Sequence, residues 1–256
     1  MIATLQAPDR LLIWCRLSTF GAVLSIALLV GLSRPLAAEE VDLELILAVD
    51  VSSSIDPIEA NQQRNGYLIA LSDPHILNAI KKGALGQIAI SYVEWADVGY
   101  QKVVVDWQII DSAASLQGFV QALAAAPISS GFRTSLSGII DFSRRSFRQN
   151  DYRGTRRVLD VSGDGPNSDG RYVQEARDDA ISEGITINGL PVLSDRPNPD
   201  GSAPAVSMDY YYERRVIGGQ GAFSMLANLD NFAPILRKKL LREIGGTHLT
   251  TSIPRP

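Results

Sequence analysis

From Leu43 to Asp50 the chain reads LELILAVD, an almost unbroken apolar run of the kind that forms a strand covered on both faces. SSSIDP follows, and its Asp56-Pro57 supplies an N-cap and a first-turn proline for a helix over 58–71. DPHILNAIKK predicts a short second helix. GQIAISYVEWA and KVVVDWQII read as strands joined by the turn DVGY, hence as antiparallel neighbours. SLQGFVQALAAA has helical spacing and stops at Pro127, PISSGFR is a loop, and TSLSGIIDFSRRSF predicts a helix opening near Thr134. RRVLDVSGDG is a strand ending in turn residues, GRYVQEARDDAISEG an amphipathic helix closed by Gly184, and ITINGLPVL the next strand. SDRPNPDGSAPAVS is a loop by composition, AFSMLANL a last strand and NFAPILRKKLLREIGG a last helix.

Strands alternating with helices predict one α/β domain over 39–246, followed by a tail over 247–256. The sheet is expected to be doubly wound and mostly parallel, with one antiparallel edge strand and helices on both faces. Ligands of such sheets sit outside the carboxyl ends of the central strands, at the point where strand order reverses. LELILAVD and DVSGDG both end at that rim.

The N-terminus adds a separate element. Arg10 and Arg16 precede LSTFGAVLSIALLVGL, Leu17 to Leu32, and SRPLAAEE follows with small residues at Ala37 and Ala38. The pattern is that of a signal peptide over 1–38 cut near Ala38, with an uncleaved inner-membrane anchor as the alternative. Either way the domain is expected to be exported, periplasmic or secreted. Cys15 is the single cysteine, so the mature chain cannot rest on disulfides. A formal charge of −4 gives no reason to expect nucleic acid as a partner.

Candidate chemistry lies in three pieces: Asp50-x-Ser52-x-Ser54, Thr134 at a helix start, and Asp164 after a strand. All fall on one rim, and all offer hard oxygens, which suit magnesium, calcium or manganese better than zinc or copper. The two aspartates would supply the compensating charge. The set resembles the metal-ion-dependent adhesion site of the von Willebrand factor type A family, in order and on matching elements, over roughly 41–246. DVSGDGPNSDG and GGQGAFSMLANLDNFAPILRKKLLREIGG further resemble a functionally uncharacterised, exported bacterial branch of that family. Gly163 stands where many members have threonine. The resemblance implies direct metal bonds from Ser52 and Ser54, aspartates acting largely through water, and Thr134 bonding directly or through water. It also implies a protein partner whose carboxylate fills the open coordination position, and a binding rather than an enzymatic role.

The rival is a phosphotransferase of the haloacid dehalogenase type, with Asp50 as nucleophile and GDGPNSD, Gly163 to Asp169, as its acidic motif. Against it, Ser52 stands where a second aspartate is needed, and no lysine occurs between Lys102 and Lys238. A vestigial site on a structural or assembly module is the other alternative. Hydrolytic triads lack support: His75 and His248 are the two histidines, and no Gly-x-Ser-x-Gly elbow exists. Ser53 and Asp56 read as capping residues. Asp160 is expected to anchor the metal loops, or to face solvent or pair with Arg156 or Arg157. Glu94 is read as structural, Trp95 and Trp107 as edge-strand packing, and DYYYERR as an interface segment or a helix over the sheet. The loop from Ser194 to Ser207 is expected to border the metal and shape the partner surface.

Overall fold

The computed structural model describes residues 38–193 and 207–246, together with Met1. The export segment before Ala38, the loop residues 194–206 and the tail from 247 lie outside the described residues. The elements are β1 (Glu39–Val41), β2 (Glu44–Asp50), α1 (Pro57–Leu71), α2 (Pro74–Lys81), β3 (Ile88–Trp95) and β4 (Gln101–Ile110). There follow α3 (Ala113–Ala125), α4 (Leu136–Gln149), β5 (Tyr152–Gly154), β6 (Arg157–Gly163), α5 (Val173–Ser182) and β7 (Ile185–Leu193). The last are α6 (Met208–Tyr211), a π-helical turn (Tyr212–Val216), β8 (Ala227–Asn228) and α7 (Phe232–Gly245). Among the described residues no helix is long and apolar enough to cross a membrane.

Six strands form one sheet in the order β4-β3-β2-β6-β7-β8. Only the β3–β4 pair of that sheet is antiparallel, as the short DVGY turn requires. The chain leaves β2 for β3 on one side and returns to β6 on the other. Strand order therefore reverses between β2 and β6, which places their carboxyl ends at the crevice of the sheet. A two-stranded parallel pair of β1 and β5, not visible in the hydrophobic pattern, lies apart from this sheet.

All seven residues of β2 are buried, which is why its sequence is apolar without alternation. Their side chains divide by the two-residue period. Leu45, Leu47 and Val49 enter the core formed with α1, α2, α3 and α7, whereas Ile46 and Ala48 enter the core formed with α4, α5 and the π-helical turn. β6 divides likewise: Leu159 and Val161 share the second core, so Asp160 and Ser162 point toward the α1–α7 face. α1 and α7 cross closely over Gly66, where a Cβ would stand 2.3 Å from Phe232 Cδ1.

α4 opens near Thr134 as expected, at Leu136, with Ser135 as the N-cap whose hydroxyl accepts from Gly138 N. Other expectations are corrected. The strand expected over AFSMLANL shrinks to Ala227–Asn228, since the Phe223 N–H donates to the Asn188 side chain instead of to a ladder. Asp160 neither faces solvent nor pairs with Arg156 or Arg157. Those arginines hold the carbonyls that end α7 and α5, at Glu243, Ile244 and Glu183. Asp160 instead meets Lys239 of α7, whose Nζ lies 2.5 Å from Asp160 Oδ1 and also bonds Glu243. Asn188 donates to the same Glu243 oxygen at 2.9 Å.

Lys239 and Asp160 are fully buried and Glu243 nearly so. Two carboxylates then share one ammonium, and burial together with the Asp160 charge pushes Glu243 up to about 8. Removing the ammonium would leave the carboxylates without their counter-charge. Lys239→Ala is therefore expected to lower the unfolding free energy by about 3–5 kcal/mol in urea titration. Arg237→Ala, which breaks a surface pair with Asp73, should have a far smaller effect.

Candidate metal centre

Asp50 closes β2, and its Oδ1 accepts the backbone N–H of Ser52 at 2.8 Å, which turns the chain sharply off the strand end. The turn aligns the two serines: Ser52 Oγ and Ser54 Oγ stand 3.1 Å apart. Ser54 Oγ donates to Asp164 Oδ1 at 2.7 Å, joining the ends of β2 and β6. Thr134 Oγ1, just before α4, reaches Ser52 Oγ at 3.3 Å. The five residues singled out in the sequence thus form one connected cluster on the rim. Asp50, Ser52 and Thr134 are buried, while Ser54 is exposed and Asp164 half-buried, so the cluster opens on one side.

Of the neighbouring residues read as caps, Asp56 is one, whereas Ser53 caps no helix and ties the turn to the Thr134 loop instead. Ser53 Oγ donates to the Phe132 carbonyl at 2.7 Å. Asp56 caps α1 through Ile58 N and Glu59 N, and Glu59 Oε2 accepts Asp56 N at 3.0 Å in a reciprocal capping box.

Sequence reasoning missed the residues that fix the Thr134 loop. Asp97, read only as part of a hairpin turn, accepts Phe132 N through Oδ2 and Arg133 N through Oδ1, both at 3.0 Å. These bonds hold its carboxyl below the usual carboxylate range. Glu94 forms a buried ion pair with Arg64 and accepts Ser129 N at 3.0 Å. Arg64 in turn donates to the Leu123 and Ala126 carbonyls at the end of α3. Ser168 N bonds Thr134 O at 2.8 Å, and Asp169 Oδ2 accepts Val98 N. The available signal was an acidic residue inside or just past a strand, but its partners are backbone N–H groups that no residue pattern marks.

The electrostatics of the cluster are one-sided. Asp50 Oδ2 is buried with no hydrogen-bond partner among the described residues. Burial, and then the charge of Asp164, push the Asp50 carboxyl up to about 8. Burial and the charge of Glu59 raise Asp164 as well. Two repelling carboxylates among three hydroxyls form a donor set that a hard cation complements. Among the described residues no group of three or more His, Cys, Asp or Glu side chains is placed to hold a metal ion, so any such ion would rely on hydroxyls. A cavity of about 900 Å³ opens at the amino ends of β6 and β7, beside Arg157, Gly184 and Gly219, and none of the five lines it. The rim cluster is a surface site rather than a deep pocket.

The fold is that of von Willebrand factor type A domains. A bacterial example from Catenulispora acidiphila superposes with TM-score 0.53 at 13% identity, over 80% of this chain and 43% of that one. Proximal thread matrix protein 1 from the mussel byssus gives 0.55 at 13%, over 81% and 46%, and that protein also has a structure with a zinc-occupied adhesion-site motif. This chain therefore spans less than half of either protein. BatB from Bacteroides thetaiotaomicron gives 0.53 at 18% identity, over 79% and 97%. A search of curated proteins returned no match. The profile of the family described as "Protein of unknown function (DUF1194)" matches residues 40–248, and the chain belongs to that family.

A pH dependence follows from Asp50. Its folded-state value lies above the unfolded one, so between about pH 4 and 8 the folded chain holds the extra proton. Stability contributed by the neutral carboxyl is present at low pH and lost as pH rises through that window. In chelator, wild-type melting temperature should therefore fall from pH 5 to pH 8. Asp50→Asn, which carries no charge, should show a shallower fall and be more stable than wild type at pH 8 by a few kcal/mol.

Proposed function

We propose that this member of the DUF1194 family binds one divalent cation, magnesium foremost with manganese or calcium as substitutes, and uses it to hold a protein partner through that partner's carboxylate. Ser52, Ser54 and Thr134 would hold the ion, with Asp50 and Asp164 balancing its charge. The observation that carries this reading is the convergence of three chain segments at the end of β2, where the Ser52, Ser54 and Thr134 hydroxyls and the Asp164 carboxylate form one connected cluster with Asp50. Once bound, the ion supplies a coordination position open to an external oxygen. The exposed side of the cluster is where a partner would approach, flanked by Phe132 and Ile58, which are 82% and 70% exposed. Exposed apolar residues beside a polar centre suit a protein partner. The export pattern over 1–38 supports a site of work outside the inner membrane.

A binding role fits these residues better than a catalytic one. Glu59, whose charge bears on Asp164, already accepts the Asp56 N–H, and His75 pairs with Asp73 at the start of α2. Phosphotransfer through Asp50 has less support still: Ser52 occupies the place of the required acid, and Lys239 is buried with Asp160 and Glu243.

Calorimetric titration of the exported domain with Mg²⁺, Mn²⁺ and Ca²⁺ tests the reading. Wild type should bind one ion per chain and melt at higher temperature with it. Asp164→Ala should lose both responses while keeping its far-ultraviolet spectrum. A wild-type domain silent to all three ions would leave a vestigial site on a structural module. Capture of envelope proteins with and without chelator tests the partner, which should elute with the chelator.

A further inference from the structure

Three buried polar atoms lack a hydrogen-bond partner among the described residues and belong to one place: Asp50 Oδ2, Tyr212 Oη and Trp95 Nε1. Gly163 marks that place. A Cβ on it would lie 2.9 Å from Asp50 Oδ2, 3.0 Å from Tyr212 Oη and 3.2 Å from Trp95 Cζ2. Tyr212 is completely buried, and the charges of Asp50 and Asp164 both act on its phenol. Its ring has been given room on the adjacent strand too, since a Cβ on Gly189 would meet Tyr212 Cδ1 at 2.6 Å. Glycines on β6 and β7 thus make a slot through which Tyr212 reaches the back of Asp50.

The element that delivers Tyr212 is unusual. Tyr212–Val216 is a π-helical turn, and Ile217 N bonds Tyr212 O at 3.0 Å. Such turns are rare and concentrate at functional sites. A buried hydroxyl without a partner is unfavourable, and phenylalanine would fill the slot without it. Core packing therefore accounts for the ring but not for the oxygen.

We infer that Tyr212 is a positioning residue of the metal centre: its hydroxyl and the inner oxygen of Asp50 flank Gly163 unbonded in this structure, and when Asp50 ionises the hydroxyl turns to donate to that oxygen and so fixes the carboxylate that faces the cation. The hydroxyl stands where a side chain at position 163 would otherwise project. The inference rests on the cation-binding reading above and assigns to the site a residue from outside its three loops.

Tyr212→Phe removes the oxygen alone. Titration with Mn²⁺ should show affinity reduced about tenfold or more, as loss of a hydrogen bond to a charged group implies. The pH at which binding is half-complete should rise, because Asp50 then keeps its proton more tightly. The melting temperature in chelator should be unchanged or higher. A purely structural role would reverse the pattern, lowering the chelated melting temperature and leaving affinity and pH profile alone; that result overturns the inference. Gly163→Ala, whose Cβ displaces the hydroxyl, supplies a second test. Its loss of affinity should not add to that of Tyr212→Phe in the double variant, and additive losses would count against the assignment. If wild type binds no Mn²⁺, the cation reading itself fails and this one with it. If wild type binds and Tyr212→Phe binds equally well, only the present inference fails.

Discussion

The structure turns on a carboxylate at the end of its central strand. Asp50 is buried, faces a second carboxylate at Asp164, and has an oxygen that no described group satisfies. Charge in such a place is unfavourable unless it is neutralised or paired. Protonation is one resolution and a bound cation is the other. Much of the local architecture serves the second. The Asp50–Ser52 turn aligns two hydroxyls, and Asp97, Glu94 and Ser168 hold the loop that delivers a third. These contacts fix the loops around the cluster, and none of them compensates Asp50 Oδ2.

The sheet explains how distant residues meet there. β2 and β6 are neighbours, yet more than a hundred residues separate Asp50 from Asp164 along the chain. Strand-order reversal beside β2 brings both carboxyl ends together with the loop that precedes α4. The opposite face of the same two strands carries a different solution to buried charge. There Asp160 and Glu243 share Lys239, so that cluster is neutralised from within the fold. The contrast is instructive: one acidic pair has been given an ammonium, and the other has hydroxyls and an opening to solvent.

What the sequence made legible was periodic or local. The apolar run of β2 implied a strand covered on both faces, Asp56-Pro57 marked the start of α1, and the spacing of Asp50, Ser52 and Ser54 marked a turn with chemistry. Thr134 and Asp164 were legible because each sits at the end of a readable element. The pairing of Asp160 was not, because it depends on which face of α7 meets β6, and Lys239 lies nearly eighty residues away. Asp97 escaped because its partners are backbone N–H groups, and the structural reading of Glu94 did not reveal its pairing with Arg64, which lies on a different element. The last strand was overestimated because AFSMLANL is apolar enough for a ladder, while Asn188 and the Asn228–Asn231 turn take the backbone bonds elsewhere. Tyr212 could not be assigned from DYYYERR, since its meaning depends on the two glycines that make room for it.

Diffraction from crystals of the domain grown with Mn²⁺, recorded at the manganese absorption edge, tests the central claim most directly. One anomalous peak within bonding distance of the Ser52 and Ser54 hydroxyls, with Asp50 and Asp164 turned toward it, is the result the account predicts. Crystals saturated with Mn²⁺ that show no peak among these five side chains, or show it elsewhere on the domain, would contradict it.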